Sequence, residues 1–323
     1  MKFKHAFNVF VDNFSVTYKQ LLYRLIIGVI AWTICFLGVY PFIKNNLIGS
    51  EQFNALLSGA KDFIRSLLNG ELDHLSEISQ NVREAYKEFV IMLHDKTPQF
   101  VLGGFLFVLI LTVEKWFAGL GNYATAAVIN DKMALRANSP FLGTMIRNLK
   151  EATIYSAIYV PLSVVFDLAV CTVVYFIVFY LFNSFTPFLL CVFLFFLIIV
   201  IAVSVKMTFT TDWLPALIRG KTGQRKAFIY TFSRKNKKTF NVLSNYLILT
   251  LIILGLNVAA FFFTLGVGLL ITVPSSFVLI LSFGMVNYYD REEIKYFIDK
   301  NTIIKPAKER TPTREEFFRG DND

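Results

Sequence analysis

Histidine and cysteine are scarce in this 323-residue chain, three of each, and that scarcity narrows the chemistry open to it. His5, His74 and His94 all lie outside the apolar stretches, and no HExxH, GxSxG or GxGD pattern occurs, so metalloprotease, serine hydrolase and intramembrane aspartyl protease signatures are missing. Glu71 and His74 form one ExxH, but a di-metal helical site needs a second pair, which the sequence lacks. Gly220-Lys221-Thr222 imitates the end of a phosphate-binding loop, yet Pro215 stands where its first glycine belongs. No cofactor and no metal are expected. Cys35, Cys171 and Cys191 fall inside apolar segments, where a thiol behaves as a small hydrophobe rather than a disulfide partner.

Charge is missing as well, in long blocks. Residues 152–205 carry one charged side chain, Asp167, and residues 239–289 carry none. A bilayer core about 30 Å thick needs about 20 apolar residues per helix, so runs of this length belong in lipid. With 55% hydrophobic residues, 16% aromatic and 17% charged, the composition is that of an integral membrane protein. The net charge of +9 does not point to nucleic acid, because basic residues of membrane proteins gather in cytoplasmic loops. The first apolar stretch starts near Leu21 and is too long for a signal-peptide core, so it is expected to remain as a membrane anchor.

Six transmembrane helices are predicted, at residues 21–43, 100–130, 152–182, 188–211, 239–265 and 269–289. Uncharged turns at 183–187 and 266–268 close the second and third hairpins. Lys plus Arg against Asp plus Glu is 6 to 8 in residues 44–98, 4 to 2 in 131–151 and 8 to 1 in 212–238. This asymmetry puts both termini in the cytoplasm and residues 44–98 outside.

A short amphipathic segment precedes the first, third and fifth spans. The first shows Phe3, Phe7, Phe10 and Phe14; the second opens with Ser139-Pro140 as cap and first helical residue and shows Phe141, Met145 and Leu149; the third shows Ala227, Phe228 and Phe232. All three read as interfacial elbow helices with apolar faces in the membrane. Basic residues of the third, Arg219, Lys221, Arg225, Lys226, Arg234, Lys235, Lys237 and Lys238, are candidate contacts for anionic lipid headgroups.

The loop after the first span differs. Phe53, Leu56, Ala60, Phe63 and Leu67, then Leu75, Ile78, Val82, Ala85, Phe89 and Met92, follow heptad spacing broken at Asn69-Gly70. This predicts an extracytoplasmic helical hairpin, whose residues 50–95 are the candidate surface for a protein partner or for self-association. The fold class is therefore all-α: a polytopic bundle of six transmembrane helices, three elbows and a helical hairpin. Its segments are 1–44, the hairpin 45–98, the remaining spans 99–290, and a cytoplasmic tail 291–323. A short helix is predicted at 291–300 and a capping box at Thr313-Arg314-Glu315-Glu316.

Ionisable groups at membrane depth cost about 2.5–3.5 kcal/mol each and need a partner, water or an escape to the interface. Lys206, Arg24 and Asp212 lie near enough to span ends to reach the interface. Glu114, Lys115 and Asp167 do not. Two readings stand for them: a structural Lys115–Asp167 ion pair, or a polar pathway lined by Glu114, Lys115 and Asp167 with Asn122, Asn257 and Ser163 at similar depth. Pro161, within two turns of Asp167, predicts a kink, and Pro274-Ser275-Ser276 a second helix interruption. Gly119, Gly121 and Gly255 are expected to serve close helix packing.

Arg219-Gly220-Lys221 leading to Ala227-Phe228, with the closing Asn287-Tyr288-Tyr289-Asp290, resembles bacterial multi-pass proteins known only as domains of unknown function, and the membrane domain attached to some glycerophosphodiester phosphodiesterases. The resemblance implies a bacterial plasma-membrane protein. It transfers no catalytic residue, since nothing matching the soluble phosphodiesterase domain occurs in the chain. Three functions remain open on these grounds: a non-enzymatic scaffold, assembly factor or complex subunit; a small-solute or lipid transporter using the polar pathway; and an intramembrane enzyme.

Overall fold

In the computed structural model, residues 2–69, 75–134, 140–183, 188–220, 223–232, 236–298 and 302–305 are described. The protein is an all-α polytopic bundle. Its helices are α1 (Lys2–Asp12), α2 (Phe14–Gly38), α3 (Tyr40–Ile43, continued by a π-helical turn Lys44–Ile48), α4 (Glu51–Asn69), α5 (Leu75–Asp95), α6 (Thr97–Met133) and α7 (Phe141–Arg147). After these come α8 (Leu149–Asn183), α9 (Phe188–Thr210), α10 (Trp213–Ile218), α11 (Gln224–Phe232), α12 (Asn236–Thr264) and α13 (Leu269–Arg291). Six of them, α2, α6, α8, α9, α12 and α13, contain segments long and apolar enough to cross a membrane, in agreement with the apolar runs. A helix suits that solvent because it satisfies its backbone hydrogen bonds internally.

Two compact units are interleaved along the sequence: residues 1–23, 119–155 and 204–323 form one, and 24–118 with 156–203 the other. The first is organised around the end of α13, where Phe283, Met285, Val286 and Tyr289 are fully enclosed. Phe283 packs on Phe3 of α1 and on Tyr246 of α12, with ring centroids 5.0 and 5.1 Å away. Gly284 lets α13 approach Thr211 closely, since a Cβ there would lie 3.2 Å from the Thr211 hydroxyl and 3.3 Å from its carbonyl oxygen. Tyr289 donates a hydrogen bond of 2.9 Å to Asn130 Oδ1 of α6. In the second unit the α4–α5 hairpin is antiparallel, with Phe53 against Phe89 and Gly59 against Val82, as the heptads predict. Asn69 ends α4, and a single residue, Lys96, separates α5 from α6.

Several expectations are corrected. Helix α2 starts at Phe14 rather than near Leu21, because Val16, Thr17 and Gln20 are buried against protein; an apolar run measures lipid contact, and the helix outlasts it. Pro140 is the N-cap of α7 rather than its first residue, with extended backbone at φ −64° and ψ 147°. Pro161 and Pro274, where kinks are expected, lie inside α8 and α13, and both helices run on past them, since one missing donor does not end a helix whose other bonds are made. The segment after Arg291 is not a helix: Tyr296–Phe297 (β1) pairs antiparallel with Ile303–Ile304 (β2), Tyr296 opposite Ile304. β-Branched and aromatic residues at those positions suit a strand better than a helix. Gly121 does pack closely, its Cβ position 2.6 Å from the Tyr23 ring, but Gly255 faces open space. The capping box at 313–316 lies outside the described residues.

The three elbows are helices α1, α7 and α11, each leading into a transmembrane hairpin. Their predicted lipid faces are only partly exposed: Phe7 and Leu149 are, as expected. Phe10, Phe141 and Ala227 of those faces are buried in protein, while Val11, Leu142, Ile146 and Ile229, outside the predicted faces, are exposed. Protein and lipid both select apolar side chains, so the periodicity marks an apolar arc without dividing it between them.

Candidate functional site

Lys115 of α6 and Asp167 of α8 each sit near the middle of their helices, with about 25 Å of helix to either end at 1.5 Å per residue. Neither side chain can reach an interface easily. They meet each other: Lys115 Nζ donates to Asp167 Oδ2 at 2.5 Å, with the side chains 35% and 36% exposed. A pair at this distance compensates both charges in place. Glu114, one residue earlier and therefore about 100° around the helix, is half-buried and makes no hydrogen bond or ion pair to the described residues.

Asn122 and Asn257 of the expected pathway have their own partners. Asn122 Oδ1 accepts from Gln20 Nε2 at 3.0 Å, which joins α2 to α6. Asn257 of α12 accepts from the Thr272 hydroxyl at 2.7 Å and lies 3.4 Å from the Ser276 hydroxyl, which joins α12 to α13. Such ladders are ordinary helix glue in membranes. Ser163 is buried. Cys35 and Cys171 are free thiols, and the Cys191 side chain lies outside the described residues.

A second polar cluster, which the sequence reading did not assemble, surrounds the ends of α9, α11 and α13. Asp212 does not escape to the interface as expected; its side chain is 1% exposed and binds Arg291 Nη1 at 2.6 Å. Arg291 also stands 4.0 Å above the Tyr230 ring, and the Tyr230 hydroxyl donates to Glu292. Burial, then the nearby Asp212 charge, pushes the Glu292 carboxyl above its usual value. Arg219 stacks over Tyr289 at 5.6 Å, and Asp131 binds Arg147 Nη2 at 3.2 Å. His5 Nδ1 lies 3.1 Å from the Tyr296 hydroxyl, tying α1 to the β-hairpin. The only sequence signal for this cluster is the polar-aromatic run Asn287-Tyr288-Tyr289-Asp290, and local periodicity assigns it no partners.

Of the candidate lipid contacts, Arg225 and Lys226 are exposed on α11, one turn from exposed Ile229, so that elbow presents a cationic and apolar surface together. Arg219 is half-buried by its stacking. Lys221, Arg234 and Lys235 lie outside the described residues, as do the side chains of Lys237 and Lys238 at the start of α12. No family model matches the chain, and neither a curated protein nor a solved structure matches it.

Proposed function

We propose that this integral membrane protein is a non-enzymatic scaffold, assembly factor or complex subunit of the bacterial plasma membrane. The observation that carries the reading is the Lys115–Asp167 pair. A transport pathway needs ionisable groups free to bind and release solute, whereas two of the three at mid-depth neutralise one another across a helix interface. Asn257, a further candidate for the pathway, is spent on Thr272 and Ser276. The alternative, a small-solute or lipid transporter, draws its support from Glu114 alone.

The same proposal places both termini and the elbows at the cytoplasmic face, by the loop-charge asymmetry, with Arg225 and Lys226 against anionic headgroups. The bacterial setting rests on the resemblance in layout. Single cysteines at positions 114, 167 and 257 in a background lacking Cys35, Cys171 and Cys191, treated with a membrane-impermeant maleimide from each side in turn, test the reading. The scaffold predicts no labelling at any of the three; labelling at 114 or at 167 from one side establishes aqueous access to the polar site and overturns it. Cysteines at positions 58 and 226 in the same membranes report orientation, and labelling of both from one side refutes the assigned topology.

A further inference from the structure

Of the three ionisable side chains near the middle of a span, Lys115 and Asp167 are satisfied, and Glu114 is left without a partner among the described residues. The trio therefore carries one surplus negative charge at mid-depth. Glutamate has too short a side chain to cross half a bilayer, and headgroup cations do not reach the midplane. On the same side of α6, Phe107 two turns before Glu114 and Phe117 about one turn after it are exposed, whereas Ala118, one turn after it, is buried. Glu114, half-buried itself, thus stands at the edge of an exposed apolar patch of α6 formed by Phe107 and Phe117.

We propose that Glu114 is the point at which this scaffold docks a transmembrane helix of another protein that carries one lysine or arginine near its own midpoint. The inference rests on the scaffold reading and names the chemistry of its partner. Charge decides against a second copy of this chain: it would bring another Glu114 and another Lys115 already held by Asp167, doubling the surplus instead of cancelling it. A single basic side chain cancels it and lets both helices keep their apolar faces together. An opposite charge at such depth also orients and registers the partner, because only one depth along each helix satisfies both groups.

The test uses the full chain reconstituted in phosphatidylcholine and phosphatidylglycerol vesicles, labelled for energy transfer to a synthetic leucine-alanine transmembrane peptide. One peptide has lysine at its centre and its control has leucine. The lysine peptide is expected to associate at about tenfold lower peptide-to-lipid ratio than the control, the scale of an interhelical polar contact in a membrane. Glu114→Gln, which keeps the volume, erases the difference, and Glu114→Asp retains most of it. Equal association of the two peptides with the native chain, or an unchanged preference in Glu114→Gln, overturns the proposal. So does transfer between two differently labelled copies of the chain that disappears in Glu114→Gln, which assigns the face to self-association. Maleimide labelling of a cysteine at 114 separates the two levels: a labelled cysteine refutes the scaffold reading itself, whereas no labelling and no peptide preference refute the docking alone.

Discussion

Replacing Asp167 with leucine while Lys115 remains is the sharpest probe of the membrane interior. The two charged atoms are 2.5 Å apart, and each side chain is about one-third exposed on the protein, at 35% and 36%. What that exposed third touches decides the energy. If it touches water, the pair is a screened surface ion pair, and breaking it costs at most about 1 kcal/mol. If it touches lipid, Asp167→Leu strands an ammonium group at mid-depth, and the cost is about 2.5–3.5 kcal/mol. The flexible lysine stem relaxes part of this, which favours the lower end. The double variant Lys115→Leu/Asp167→Leu removes both charges and is expected within about 1 kcal/mol of the native chain, since an apolar pair of similar volume replaces a buried ion pair at little cost. Reversible unfolding in mixed micelles of rising sodium dodecyl sulfate content, followed by tryptophan fluorescence, measures all three variants. A single variant within 1 kcal/mol of native, or a double variant no more stable than the single, refutes the dry-pair reasoning and returns the transport reading to first place.

Three further outcomes follow from the second polar cluster and its surroundings. Arg291→Met is expected to cost more than Asp212→Ala in the same unfolding assay, about 3–5 kcal/mol, because it removes the arginine bound to a carboxylate that is only 1% exposed, whereas the arginine left by the aspartate variant is 20% exposed and reaches solvent. Gly220→Ala puts a Cβ 2.7 Å from the Ala216 carbonyl and 2.8 Å from the Tyr288 hydroxyl and is expected to destabilise by about 1–3 kcal/mol; Gly223→Ala, which meets open space, stays within about 0.5 kcal/mol. Glu292 has a raised carboxyl pKa, so its contribution to stability is fully present below the ordinary value of 4.5 and is lost as pH rises through the raised one. Thermal unfolding of Glu292→Gln across that window should show a shallower pH slope than the native chain, and identical slopes sink the assignment.

Much of the architecture was legible in the chain because the bilayer imposes one dominant rule. Residues 152–205 and 239–289 announce two hairpins by lacking charge, and the heptads of residues 53–92 announce the third, polar one. Helix ends were less legible: at Val16, Thr17 and Gln20 the helix leaves the lipid and continues against protein, where hydropathy no longer reports on it. The β-hairpin at Tyr296 and Ile304 was missed for a related reason, since two-residue strands offer no period to count.

By itself, the sequence determined the solvent, the number of apolar spans, the elbow-and-hairpin order and the mid-helix placement of Glu114, Lys115 and Asp167, because each follows from hydrophobicity read along a local segment. Only the tertiary structure decided which charge each ionisable group meets. Lys115 finds Asp167 across 52 residues, Arg291 finds Asp212 across 79, and Tyr289 finds Asn130 across 159. Nothing local encodes such pairings; they depend on which helices become neighbours. The same long-range arrangement leaves Glu114 without a partner among the described residues, beside a satisfied pair, and makes it the docking point proposed above.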